Sequence, residues 1–239
     1  MKELWTELAA NVGFVLMSVG IVVALALAAK AAERFWIGCR TVSTARRVCI
    51  VGICSALAAV LHMLDFPVPF LAPPFYKLDF SELPVLLCGF YLGPSAAVAC
   101  EGIKILLKLL IKSTSTAFVG DLANFVVGCS FVLPAVIFYH AHKSRHNALI
   151  GLIIGTASMA VLGSAFNAVY LVPKFSQLYG LPLDAIIGMG AEIWPAVTDL
   201  KTFAFFCVAP LNLFKGVMVS VPTMLLYKKV ARPLFGLHK

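Results

Sequence analysis

The chain has 239 residues, 61% of them hydrophobic and only 13% charged, with a net charge of +8. A soluble domain runs nearer about 45–50% apolar and about 25% charged, and a chain this small has too much surface to hide the excess. The composition excludes an ordinary soluble domain and points to lipid as the solvent. The positive charge does not imply nucleic acid, because Lys and Arg cluster beside apolar runs, as in membrane-protein loops. The cysteines form no C-x-x-C and lie mostly inside apolar runs. They read as small apolar helix residues rather than disulfides or metal ligands.

The first apolar run, 11–32, is followed by Arg34, Arg40, Arg46 and Arg47. A secretory signal carries its charge before the apolar core, so this run reads as a retained span with its N-terminus outside. Runs at 48–64, 83–92, 94–112, 117–139, 148–172 and 203–227 complete the predicted spans, each assigned from apolar stretches bounded by charge and Pro/Gly clusters. A crossing helix needs roughly 20 residues. Run 83–92 is too short to cross alone, and Gly93-Pro94 divides it from the next run, which predicts a tight helix pair. Between the second and third runs, residues 65–82 hold four prolines and several aromatics. Proline fixes φ, so this loop is expected to be stiff and able to cover a binding site. A second long loop, 173–200, is expected to contain a short helical piece.

Residues 33–47, 140–147 and 228–239 carry ten Lys and Arg, against five in the opposite loops. This asymmetry places the C-terminus in the cytoplasm. An odd number of spans then places the N-terminus outside.

Polar residues within spans are costly, by roughly 2.5–3.5 kcal/mol each for charged ones. Glu101 and Lys104 lie three apart and read as a neutralising pair that locks helix packing. Lys108 reads as a snorkelling side chain near the outer end. Asn212 and Lys215 share one helix face after Pro210, with no acid within a helical turn of Lys215. Asn124 and Asn167 add amides from two other spans. Hydrogen-bond glue between helices, about 0.6 kcal/mol per contact, accounts for any one of these. Three amides and an unpaired lysine near one depth better fit a ligand with hydroxyls and an imide-like edge, its flat part held by apolar and aromatic side chains.

Gly52, Ser55, Ala56 and Ala59 form a face of small residues that permits close helix approach. Spacing alone leaves open whether the chain's own helices or a partner packs there. His140, His142 and His146 crowd one inner loop, which reads as solvated rather than as a metal site. No phosphate loop of the form G-x-x-x-x-G-K-[ST] is present, so this chain is not expected to hydrolyse ATP. Nor is there an H-E-x-x-H or G-x-S-x-G element, and no enzyme is expected.

Five segments, in order, carry a family resemblance: K-L-D-F-S-E-L-P at 77–84, G-P-S-A-A-V-A-C-E-G-I-K at 93–104, G-D-L-A-N-F at 120–125, F-N-A-V-Y-L-V-P at 166–173 and P-L-N-L-F-K-G at 210–216. Over roughly 46–230 the chain resembles the riboflavin-binding S components of energy-coupling factor (ECF) vitamin transporters. The resemblance implies a six-helix membrane protein that binds a vitamin near the outer face, under the loop between its first two helices. It implies docking onto a transmembrane coupling protein with two ABC-type ATPase subunits, and toppling of the S component to carry its ligand inward. It implies riboflavin contacts from Asn124, Asn212 and Lys215, and, on weaker matches, from Lys77, Leu78, Asp79, Asn167 and Tyr170. It also raises the partner reading for Gly52, Ser55, Ala56 and Ala59. The chain departs from the pattern in its extra first span, in Ile105 where the family often has Asn, and in Asp121 where Gln or Glu is common.

The expected fold is therefore an all-α polytopic membrane bundle, a six-helix S-component core plus one N-terminal transmembrane helix. Its parts are the helix and basic linker at 1–45, the riboflavin-binding domain at 46–230 and a cytoplasmic tail at 231–239. The expected partners are riboflavin, the lipid bilayer, the coupling protein and two ATPases, with no nucleic acid, metal or cofactor. Two other readings stand beside it: an S component for another vitamin, and an ion-coupled secondary transporter using Glu101 or Asp121.

Overall fold

In the computed structural model, residues 12–36, 42–114 and 118–235 are described. The start of the first predicted span, the part of the basic linker with Cys39 and Arg40, and the tail beyond residue 235 lie outside the described residues.

Each predicted apolar run is a helix. Helix α1 is Val12–Trp36 and α2 is Thr44–Met63. A two-stranded antiparallel ribbon follows, β1 (Phe66–Pro67) with β2 (Lys77–Leu78). Then come α3 (Glu82–Leu92), α4 (Pro94–Ile111) and α5 (Val119–Ala141). Helix α6 covers residues 145–179 and contains two π-helical turns, Met159–Gly163 and Asn167–Leu171. Helix α7 (Leu183–Ala191) is the short piece expected in the second long loop. Helix α8 covers residues 200–235 with a π-helical turn at Ala204–Val208.

By length and composition, α1, α2, α5, α6 and α8 can each cross a membrane. Helix α3 has only 11 residues, and α4 carries Glu101, Lys104 and Lys108. These two form the expected tight pair. Gly93 between them has φ 109°, a conformation that side-chain-bearing residues rarely adopt, and Pro94 opens α4 at its first turn, where a missing N–H costs nothing. Gly89 brings α3 so close to α4 that a Cβ there would lie 2.9 Å from that of Ala97.

Helix α1 packs on α4 and α5, with Leu25, Ala26 and Ala29 against Val98, Ile105, Phe125 and Cys129. The N-cap of α4 is Gly93, which has no side chain to cap with. The Glu33 carboxylate of α1 fills that role, accepting from the Ser95 N–H at 2.8 Å, favoured by the positive end of the helix dipole. Near its other end, Phe14 stacks on Tyr170 with centroids 6.5 Å apart.

At the end of the bundle with the basic loops, the core is apolar and close-packed. Phe90, Tyr139 and Tyr227 meet there, with the two tyrosine hydroxyls 3.0 Å apart. Gly151 lets α6 approach α5 until a Cβ would be 2.6 Å from the Ala135 carbonyl oxygen. His140 also turns into this pack and donates through Nε2 to the Gly89 carbonyl at 2.9 Å. His142 and His146 are exposed, so the histidine-rich loop splits.

The small-residue face of α2 splits too. Ser55 and Ala59 are buried against the chain's own helices, and the Ser55 hydroxyl bonds back to the Val51 carbonyl. Gly52 and Ala56 face outward, in one stripe with Val48, Ile53, Leu57 and Val60. The spacing G-x-x-x-A holds one face, and S-x-x-x-A lies about a sixth of a turn away from it, enough to turn it into the bundle.

Candidate functional site

A cavity of about 340 Å³ opens at the end of the bundle opposite the basic loops. Its walls come from the end of α2, the 65–79 segment, α4, the start of α5, the irregular part of α6 and the middle of α8. The proline-rich segment forms a structured cover. Its ribbon pairs Phe66 with Leu78 and Pro67 with Lys77. Val68, Ala72 and Leu78 anchor it on Ile186, Val197, Phe203 and Leu211 from α7, the segment after it and α8. Its rings Phe75 and Tyr76 face the cavity.

Seven of the eight residues implied as ligand contacts line this cavity: Lys77, Leu78, Asp79, Asn124, Asn167, Asn212 and Lys215. They come from four parts of the chain that meet only in the fold. Asn167 opens a π-helical turn, donates to the Gly163 carbonyl at 2.7 Å and accepts from the Tyr76 hydroxyl at 3.0 Å. That second bond ties the cover to α6. Among the described residues, Asn212 makes two long contacts, 3.5 Å each, to the Met159 carbonyl and the Ser164 hydroxyl, at the limit of useful geometry. Its amide is therefore poorly satisfied without a ligand. Gly163 leaves it room, since a Cβ there would lie 3.0 Å from the Asn212 nitrogen. Pro210 follows the π-helical turn of α8, where the ladder is already interrupted.

Tyr170 does not join them. Its ring packs on Phe14 and Phe166, away from the cavity. The segment F-N-A-V-Y aims Asn167 inward, and a residue three further on is carried elsewhere by the widened π-helical turn.

Lys215 is not unpaired. Its ammonium lies 3.0 Å from Glu82 Oε1 and 3.6 Å from Asp79 Oδ2. No acid lies near it on its own helix, and the partners arrive from the end of the cover and the start of α3. Asp79 also accepts from His62 at 2.9 Å and from the Ser81 N–H at 2.8 Å. Its side chain is buried against the cost of desolvation, but Lys215, His62 and Lys104 around it outweigh that cost and hold its carboxyl well below the usual range. The Glu101–Lys104 pair forms as expected and extends further: Lys104 also reaches the Ser81 hydroxyl at 3.1 Å and Glu82 at 3.5 Å. Glu82 was missed as a neighbour of the site because its part depends on an approach between distant helices. The only sequence signal for it is its place in K-L-D-F-S-E.

Nearer the mouth, Lys108 pairs with Asp121 at 2.7 Å rather than snorkelling, and Lys77 pairs with Asp65 at 3.2 Å. Both carboxylates offered for ion coupling, Glu101 and Asp121, are thus held by lysines. Among the described residues no three His, Cys, Asp or Glu side chains are grouped to hold a metal. The arrangement offers amide donors and acceptors, one buried ammonium and aromatic faces. It suits reversible capture of a flat, polar-edged organic molecule.

The family of ECF transporter substrate-specific components matches residues 46–227, beginning after α1. The riboflavin transporter RibU of Staphylococcus aureus is 34% identical over 186 residues, covering 78% of this chain and 90% of that protein. The riboflavin transporter FmnP of Bacillus subtilis is 31% identical over 188 residues, covering 77% and 92%. The solved structure of an S component of a bacterial ECF transporter is similar with a TM-score of 0.62 at 33% identity, covering 80% of this chain and 98% of that one. With a helical membrane architecture, a covered cavity and relatives that are transporters rather than enzymes, the chain belongs to the substrate-specific components of ECF transporters and is the substrate-binding subunit of such a system.

Proposed function

We propose that this subunit captures riboflavin at the outer face of the membrane. The observation that carries the reading is the convergence of Asn124, Asn167, Asn212 and Lys215 on one cavity of about 340 Å³ beneath the aromatic cover. That volume falls in the range of about 300–1,000 Å³ typical of small-molecule sites. The tricyclic ring lies among Tyr76, Leu78, Leu171 and Leu211. The amides and Lys215 bind the ribityl hydroxyls and the polar ring edge, with Lys77 and Asp79 at the rim of the cover. Riboflavin is cargo, and no cofactor takes part.

Delivery inward uses the coupling protein and two ATPase subunits. The outward stripe of α2, with Gly52 and Ala56, is the docking face. Its small residues let a partner helix approach closely. The basic loops face the cytoplasm, with the C-terminus inside, and the cavity opens outward. The relatives' names support the ligand, and the loop charges support the orientation.

Titration of the purified, flavin-free protein with riboflavin in detergent tests this. Saturable, near-stoichiometric quenching of flavin fluorescence, undisturbed by excess thiamine or biotin, is expected. Absence of quenching in folded protein removes riboflavin as the ligand.

A further inference from the structure

Behind the cavity wall lies a chain of buried charges that do not line the cavity. Glu82, Glu101 and Lys104 are each 2% exposed or less, and none of them lines the cavity. They belong to α3 and α4, whereas Lys215 belongs to α8. Of the two acids near Lys215, Asp79 is already engaged by His62 and by the Ser81 N–H. Glu82 is the shorter partner, at 3.0 Å. Its Oε1 is shared between Lys215 and Lys104, and its Oε2 has no hydrogen-bond partner among the described residues. Lys104 is itself fixed by Glu101 and by the Ser81 hydroxyl. Gly128 on α5 lies directly against the Glu101 carboxylate and leaves space for it.

A long lysine side chain has many rotamers, and fixing it on ligand binding costs entropy. A buried carboxylate that is itself anchored removes that cost beforehand. We propose that Glu82, anchored by Lys104, is a positioning residue that holds the Lys215 ammonium at the cavity wall in the orientation the ligand requires. The Glu101–Lys104 pair is thereby more than packing: it keeps Glu82 from following Lys215 or collapsing onto α4. Because Glu82 sits three residues after Asp79, the same anchor ties the end of the cover to α8. This inference rests on the riboflavin reading for its ligand and on the geometry alone for its coupling.

The test is a double-mutant cycle in the full chain, with riboflavin as the probe. Glu82→Gln is expected to raise the riboflavin Kd about tenfold in the wild-type background. In the Lys215→Ala background the same change is expected to shift Kd by no more than about twofold, because the group it positions is gone. Equal effects in both backgrounds, or no effect in the wild type, overturn the proposal. Melting temperatures of the ligand-free proteins give a second cycle that needs no vitamin. Lys215→Ala takes from Glu82 the closer of its two ammonium partners, so Glu82→Gln is expected to recover part of the lost melting temperature, and a further fall instead overturns the coupling. If Glu82→Gln does not fold, Lys104→Met takes its place in the affinity cycle, with the same outcomes. Failure of the wild type to bind riboflavin removes the ligand reading, while the melting cycle still decides the coupling.

Discussion

At the basic-loop end of the bundle, α5 and α6 meet backbone to backbone at Gly151 and Ala135, and rings from Phe90, Tyr139 and Tyr227 fill what remains. At the other end the same two helices part around a cavity of about 340 Å³, and α6 and α8 lose their regular ladder in π-helical turns. The difference teaches how one small bundle divides its work. Small residues and regular helices maximise close packing, which is what holds helices together in lipid. Irregular turns, tolerated where backbone lines a cavity, re-aim side chains and leave polar groups partly unsatisfied for a ligand. A substitution at one end should therefore separate stability from affinity.

The largest effect is expected from Lys215→Ala, which touches both. It removes one cation shared by two buried carboxylates, a loss of about 3–5 kcal/mol when a buried pair is broken, and it removes a ligand contact. Thermal unfolding and riboflavin titration should both show it, and an unchanged melting temperature would mean that Glu82 and Asp79 are not held as described. Next comes Gly151→Val at the close-packed end. Overpacking there should cost about 1–3 kcal/mol of stability, seen as a lower melting temperature, while folded molecules keep wild-type Kd. A change in Kd would join the two ends that the comparison separates.

Asn212→Ala should do the reverse. Its contacts within the protein are long, so stability changes little, but leaving a ligand polar group unpaired should weaken riboflavin binding by about 1–3 kcal/mol. A titration series on this variant sharpens the site assignment directly. The smallest effect is expected from Tyr170→Ala. Its ring faces Phe14 and Phe166, so Kd should stay within about twofold, the scale of independent sites. A large loss of affinity would put Tyr170 back among the ligand contacts.

Much of the site was legible because membrane sequences expose their exceptions. Asn124, Asn167 and Asn212 stand out in apolar helices, and the fold brings all three to the cavity. The prolines of the 65–82 segment marked it as a structured loop able to cover a site, and the fold packs its ribbon over the cavity. What the sequence left open concerns side chains whose neighbours lie on other helices. Lys108 had an acid waiting on α5. Ser55 and Ala59 share the small-residue pattern of Gly52 and Ala56 but turn to the chain's own core.

The sequence by itself determined the helical runs, the break at Gly93-Pro94, the loop charge asymmetry and the set of amides, because each depends on composition or on neighbours along one chain segment. Only the tertiary structure decided that Glu82, 133 residues away, is the nearer partner of Lys215, that α1 caps α4 through Glu33, and that Tyr170 turns from the cavity. Helical spacing reports which residues share a face of one helix. Which face meets which, and how far a π-helical turn rotates it, is set by packing among all of them.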